Sequence, residues 1–465
     1  MNKAQFQHAE NMFGQVNSSK AKAFLLATLL LIGGIGLAWM VWAQPLTIIV
    51  GIAGFMLVVL FLTREEEALF ILVAYTSFHQ IMVAYLPNSP LTGWKDFVLL
   101  AFFGLWILRR LHTRVWIKST LNTPVILFLL ILVFNLVRAP SLPVGLVGLK
   151  WHANFLPLYF IGASLDLDKK KLKFLVTLLV VIGAINALYG LGTIYGPPNI
   201  FRLSSRYSAT VSGNIYAAHW LNVKIWALSL IMGTCLLSAQ LERRYKYLVI
   251  ISSPILYIAL VLSLLRVAWV TLIVGLLFLA FIRKEKKLLI YLLIGTLVIF
   301  TLFPPYVIER VRSIFSATDI SRYNKEVRQI PLGIQMIVDN PLGHGLGTIV
   351  SINYRHLIGS SVVNLLAGSI GGLENGLLEV GFELGIPGLV AYLGILISAL
   401  LVGLKTYRLL TDDFVKWLLA GILASFFMVL VGDMYVSYLK GTEAFYWLFL
   451  GVLVSLRRSA KQHTL

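Results

Sequence analysis

The sequence predicts an all-α polytopic membrane protein of about 12 to 14 transmembrane helices, with one large helical loop on the outer face. Three observations predict it. The 465 residues are 58% hydrophobic and only 13% charged, with a mean hydropathy of +0.85, which excludes an ordinary soluble domain. Apolar runs of roughly 16–24 residues recur along the chain, each long enough to cross a bilayer as a helix. These runs are continuous rather than alternating, so a membrane β-barrel is excluded.

The expected spans are 23–42, 46–62, 68–86, 96–108, 121–137, 146–165, 174–195, 216–238, 247–263, 266–282, 288–304, 388–404, 417–435 and 443–456. The first is read as a retained helix rather than a signal peptide, because no small-residue cleavage site follows it. The sixth is interrupted, and the run 247–282 exceeds one helix, with Arg266 marking the turn between two. The distribution of basic residues tests the topology. With both termini in the cytoplasm, the connections 1–22, 63–67, 109–118, 166–173, 239–246, 283–287, 405–416 and 457–465 hold 25 of the 39 Lys and Arg residues. The net charge of +19 is thereby accounted for without a nucleic-acid partner. The expected division is 1–304 transmembrane, 305–387 outer loop and 388–465 transmembrane. The single cysteine, Cys235, rules out an internal disulfide.

The basic residues left on the outer side run against this rule. They are Arg202, Arg206, Arg266, Arg310, Arg312, Arg322, Lys325, Arg328, Arg355 and Lys440. Guanidinium groups bind phosphate oxygens bidentately, so an outer arginine cluster points to an anionic ligand, with simple salt-bridge roles as the alternative. Lys150 and Lys224 fall in the outer thirds of their spans, where snorkelling to the interface is the plain reading and a lipid-phosphate contact the other. In the outer block, Val307, Val311 and Ile314 make one amphipathic stripe, and Val327, Ile330, Ile334 and Ile337 another. Asp339-Asn340-Pro341 ends the second helix, and Gly343, Gly345 and Gly347 form a flexible loop. That loop lacks the Gly-Lys-Ser/Thr of a nucleotide P-loop.

The stretch 371–388 sets Glu374, Glu379 and Glu383 just before an apolar run. Glu379 and Glu383, four apart, share a helix face, and Gly385, Pro387 and Gly388 disturb that helix. A carboxylate here is suited to take a proton from a hydroxyl nucleophile. His344 and His356 are rival bases. No Cys-x-x-Cys, His-Glu-x-x-His or Gly-x-Ser-x-Gly pattern occurs, and no cofactor or metal is expected.

Four blocks in order resemble the O-antigen ligase/polymerase superfamily of bacterial membrane glycosyltransferases. They are Arg206-Tyr-Ser-Ala-Thr-Val-Ser-Gly-Asn214, Arg266-Val-Ala-Trp269, Pro341-Leu-Gly-His-Gly-Leu-Gly347, and Glu374-Asn375 through Glu383-Leu-Gly385-Ile-Pro-Gly388. The resemblance implies metal-independent transfer of a glycan from undecaprenyl diphosphate to an acceptor hydroxyl on the outer face of the bacterial inner membrane. It maps two diphosphate-binding arginines to Arg206 and Arg266, with Arg202 beside the first. It maps the family's loop histidine to Glu374, and this departure points from ligase toward polymerase of O-antigen or exopolysaccharide repeats. Asn375, Glu383, Arg322, Arg328, His344 and Lys224 are secondary candidates. The implied partners are a lipid-linked oligosaccharide donor, a glycan or lipid-linked acceptor, membrane lipid and a chain-length regulator. The alternatives are ligation to lipid A-core, a peptidoglycan-polymerising transferase, and, in another class, a flippase of lipid-linked substrate.

Overall fold

The computed structural model describes residues 45–79, 81, 93–113, 117–195, 208–211, 214–217, 220–239, 242–288, 290, 294–295, 301, 305–313, 329–349, 373, 375–436 and 441–463. The expected span 23–42 and most of 288–304 lie outside these residues.

The described chain is helical almost throughout. Before its one hairpin run α1 (Pro45–Thr63), α2 (Glu65–Thr76), α3 (Trp94–Thr113), α4 (Asn122–Val137), α5 (Leu142–Ala153), α6 (Pro157–Ser164) and α7 (Lys169–Tyr195). After it come α8 (Trp220–Ser238), α9 (Arg243–Leu262), α10 (Arg266–Arg283), α11 (Pro305–Arg312) and α12 (Ile330–Asp339). Last are α13 (Gly376–Leu409), α14 (Asp413–Gly432) and α15 (Glu443–His463). Among the described residues, α7, α9, α10, α13 and α14 are long and apolar enough to cross a membrane. Large apolar side chains also cover the outside of the bundle, Phe281, Ile251 and Val390 among them, as lipid contact requires.

The breaks have local causes. α5 and α6 are the two halves of the interrupted sixth span, and Pro157 sits in the first turn of α6, where its missing N–H costs no hydrogen bond. The chain turns between α9 and α10 at Leu264, which adopts φ 55°. α13 begins at Gly376, twelve residues before the expected span, and is kinked where Gly385 takes φ 72°. The kink is the one that the Gly-Ile-Pro-Gly sequence leads one to expect.

Two departures matter for the site. The block around Arg206 contains strands, β1 (Ser208–Val211) paired antiparallel with β2 (Asn214–Ala217), so α8 starts at Trp220, and among the described residues this hairpin is a local exception to the all-helical expectation. The stripe expected on 326–338 also turns differently. α12 buries Gly333, Met336 and Ile337 against Leu373, Leu378 and Phe382, whereas Ile334 is exposed.

The bundle has two electrostatically distinct ends. At one, ion pairs cross between helices: Arg109 with Glu65, Lys171 with Glu66, Lys169 with Asp412 and Arg283 with Asp413. Arg457 and Arg458 join this end by bonding to Thr120 and to the carbonyls of Ala163 and Leu165. At the far end lie the start of α13, the end of α14, the start of α15 and the outer part of α5.

The glycine loop at the far end is clamped, not flexible. Gly343, Gly345 and Gly347 all have positive φ. An added Cβ on Gly345 would stand 2.4 Å from the Arg138 carbonyl oxygen, and one on Gly347 would stand 2.1 Å from that of Val144. Backbone hydrogen bonds run from His344 and Gly345 to the carbonyls of Phe382 and Glu383, and from Ile386 back to Pro341. The loop is wedged between α5 and the α13 kink, and only glycine permits the approach. Gly347→Ala should therefore destabilise the detergent-solubilised protein by about 2–4 kcal/mol, combining left-handed strain with overpacking. A thermal-unfolding midpoint unchanged from wild type would contradict this account of the loop.

Candidate functional site

The far end gathers a polar chamber inside an apolar bundle. A cavity of about 40 Å³ opens there, lined by Trp151 and His152 from α5, Glu379 and Tyr392 from α13, Asp433 after α14 and Glu443 at the start of α15. Phe128 and Trp447 supply apolar wall. The Tyr392 hydroxyl donates to Asp433 at 2.5 Å, and Asp433 is 1% exposed. The Glu443 carboxylate accepts from the Gly441 N–H. Glu379 stands in the first turn of α13, where the helix dipole favours negative charge.

Glu383, one turn further on, fastens three elements together. One carboxylate oxygen meets His152 Nε2 of α5 at 2.8 Å, and the other accepts from the Ile349 N–H, also at 2.8 Å. The residue is 1% exposed. Beside this chamber, Asp96 pairs with both Lys95 and Lys150 and accepts from Asn154. Lys95 is itself buried.

The site residues named from sequence fare unequally. Glu374, Arg202, Arg206, Arg322 and Arg328 lie outside the described residues, as does His356. Asn375 is buried, and its side chain makes two hydrogen bonds: its oxygen caps α13 by accepting from Leu378 N, and its amide donates to the Met434 carbonyl at 2.6 Å. Glu383 is the fastening just described. Arg266 is half-buried at the first residue of α10, and its guanidinium donates to the carbonyl and hydroxyl oxygens of Ser313 beyond α11. Lys224 is wholly buried, so the snorkelling reading fails for it; Lys150 is exposed but ion-paired.

Both ring nitrogens of His344 are engaged. Its ring stacks on Phe382, Nδ1 lies 3.2 Å from the Phe382 carbonyl oxygen and Nε2 lies 3.0 Å from the Asn340 amide. A neutral imidazole with Nδ1–H donating and Nε2 accepting satisfies both contacts. Burial, with Arg138 nearby, lowers its pKa below the ordinary 6.5, against a smaller upward pull from the Phe382 carbonyl.

Sequence reasoning missed His152, Trp151, Asp433, Glu443 and Trp447 as residues that line the same cavity as Glu379. One signal was available: ionisable groups at the ends of apolar runs are functional candidates by default. Nothing in the linear order brings positions 152, 379, 433 and 443 together.

The fold and chamber define a polytopic helical membrane protein with an acidic, aromatic-lined recess at one end of the bundle. Residues 247–393 match the family model described as O-Antigen ligase, so the resemblance to the O-antigen ligase/polymerase superfamily is shown for this segment. The segment carries Arg266, the glycine loop, Glu379 and Glu383. The match implies a glycosyltransferase-like membrane enzyme of O-antigen ligase/polymerase type, with lipid-linked glycan substrates. No curated protein matches the chain.

Two outcomes follow from this geometry. Because the folded-state pKa of His344 is depressed, its contribution to stability is complete above pH 6.5 and declines as pH falls toward the lowered value. Unfolding midpoints measured from pH 8 to pH 5 should fall more steeply in wild type than in His344→Gln; parallel curves would contradict the assignment. Glu383→Leu, which strands both His152 and the Ile349 N–H, should cost about 1–3 kcal/mol for each group left unsatisfied, read as a lowered unfolding midpoint.

Proposed function

We propose that the protein is a membrane glycosyltransferase. It moves a glycan from an undecaprenyl-diphosphate carrier onto an acceptor hydroxyl at the outer face of the bacterial inner membrane, and polymerises O-antigen or exopolysaccharide repeats. The observation that carries this reading is that the O-Antigen ligase match spans the Arg266 turn, the glycine loop and the α13 carboxylates together. Displacing a lipid diphosphate concentrates negative charge on the leaving group. Guanidinium groups in a low-dielectric setting stabilise that charge as it develops, and in this reading Arg266 and Arg206 do so, with Arg202 in support. Glu374 takes the proton of the attacking hydroxyl, a contribution of about 10²–10⁴-fold. It immediately precedes Asn375, whose side chain is pinned to the Met434 carbonyl next to the chamber. Both termini are cytoplasmic in this reading, in keeping with the paired basic end.

Ligation to an acceptor lipid is the second reading, favoured by the description of the matching family model. The glutamate at position 374, where the family's pattern has histidine, favours polymerisation. Glycan analysis of a deletion strain separates them: single repeats left on the carrier indicate a lost polymerase, and full-length polymer without its anchor indicates a lost ligase.

Reconstituted protein given lipid-diphosphate oligosaccharide should elongate the glycan and release undecaprenyl diphosphate. Passage of intact lipid across the bilayer without elongation would instead mark a flippase. Glu374→Gln should abolish elongation at normal expression, and unchanged product length would remove Glu374 from the base role. Arg266→Gln should raise KM for the donor lipid by more than tenfold while acceptor KM changes little; an equal loss of both would count against a diphosphate contact.

A further inference from the structure

We propose that the flank of the bundle where α4 ends carries a site for an anionic phospholipid. Arg138 holds the lipid's phosphate, and a groove between α4 and the α13 kink takes part of one acyl chain. The inference stands apart from the transferase reading.

The groove measures about 160 Å³ and is lined by Leu130, Phe134 and Asn135 of α4, Leu342 of the glycine loop, and Leu384 and Pro387 at the kink. Leu130, Phe134 and Leu342 are exposed, so the groove opens on the outside of the bundle. A void of roughly 150 Å³ takes a benzene ring, so this one takes about six carbons of a chain. Leu130 lies about 12 Å below Arg138 along the helix, against roughly 15 Å for the hydrocarbon of one leaflet. A chain entering beneath Arg138 therefore follows the groove through most of that leaflet.

Arg138 selects the head group. It is exposed at the C-cap of α4, where Nη1 donates to the Leu342 carbonyl at 2.6 Å and the guanidinium lies over the Phe134 ring. Among the described residues it forms no ion pair with a carboxylate. Nε and Nη2 thus keep their N–H groups for a phosphate, which a guanidinium meets as a fork. α5 begins at Leu142, a few residues on, and adds the positive end of its dipole near by.

One turn below Arg138, on the same helix face, Asn135 is buried. Its amide donates to the Ile131 carbonyl, while its side-chain oxygen has no hydrogen-bond partner. The ester carbonyls of a phospholipid lie inward of its phosphate. A water donating to one of them and to the Asn135 oxygen satisfies both.

A chain gains little by leaving the bilayer for an apolar groove, because lipid tails are as apolar as leucine. Selectivity therefore falls on the charge at Arg138, and an anionic head, with no cation of its own, is preferred over a zwitterionic one. The proposed donor contact, Arg266, is set apart: it stands on α10, which packs on α14, as α14 does on α13 and α13 on α4.

The test uses full-length protein in detergent and phosphatidylglycerol carrying a photoreactive diazirine within one acyl chain. Cross-links should map to α4 or to the segment 342–387. Unlabelled phosphatidylglycerol should displace the probe, and phosphatidylcholine should do so about tenfold less well. Arg138→Gln should weaken labelling about tenfold or more, and Arg138→Lys, which keeps the charge but not the fork, should restore part of it. Leu130→Trp, which fills the groove and leaves Arg138 in place, should also weaken labelling, with an unfolding midpoint near wild type. Labelling unchanged in Arg138→Gln and Leu130→Trp, or equal displacement by phosphatidylcholine, would overturn the site. Displacement by undecaprenyl diphosphate at lower concentration than by phosphatidylglycerol would give the groove to the donor's carrier and overturn the phospholipid assignment.

Discussion

A carboxyl group inside an apolar bundle is tolerated only when its hydrogen-bonding capacity is met, and Glu383 is where this protein satisfies that condition. Its two oxygens reach a histidine on α5 and a backbone N–H at the end of the glycine loop, while the loop bonds in turn to the carbonyls of Phe382 and Glu383. One buried side chain thus fixes the outer half of the interrupted helix pair, the loop 340–349 and the upper segment of α13 relative to one another. The chamber inherits its shape from that junction. His152 lines it because Glu383 holds it, and Glu379 lines it because the same helical turn continues toward the N-terminus. The kink at Gly385 separates this compact, buried turn from the long lower segment of α13, which presents Val390 and Leu401 on the bundle's outside.

Much of the architecture was legible because membrane helices are written in long apolar runs whose ends are set by proline, glycine and charge. The interruption near Pro157, the turn before Arg266 and the kink at Gly385 all lie where such residues stand. The hairpin was legible in principle: Ser208-Ala-Thr-Val and Asn214-Ile-Tyr-Ala are rich in β-formers and flank a two-residue Ser-Gly link. The surrounding helical signal and the likeness to a helix start outweighed that pattern. The glycine loop misled for a different reason. Glycines serve both mobile connections and close backbone contacts, and the sequence has no symbol for the carbonyl of Val144 that presses on Gly347.

The candidate site was half legible for a reason of the same kind. Glu379 and Glu383 were paired correctly on one helix face, yet they ended in different surroundings, one on the cavity and one locked to His152 and Ile349. A helical period of 3.6 residues tells which side a residue occupies but not what waits there. Asp433, Glu443 and His152 reach the chamber through tertiary packing of α14, α15 and α5, and that information lies in no local window.

The distribution of charge is itself an argument about mechanism. Among the described residues, cross-helix ion pairs occur at both ends of the bundle, and one end also gathers Glu379, Asp433 and Glu443 beside Trp151, Trp447 and Tyr392. In the proposed reading the lipid diphosphate is held by guanidinium groups such as Arg266, apart from the acceptor's hydroxyls. A reaction between a pyrophosphate-activated sugar and an alcohol needs this segregation. If both ends of the substrate pair were welcome in the same pocket, the donor would occupy the acceptor's place. In the proposed reading, separate places for the two substrates leave the anomeric carbon of one sugar to face the hydroxyl of the other.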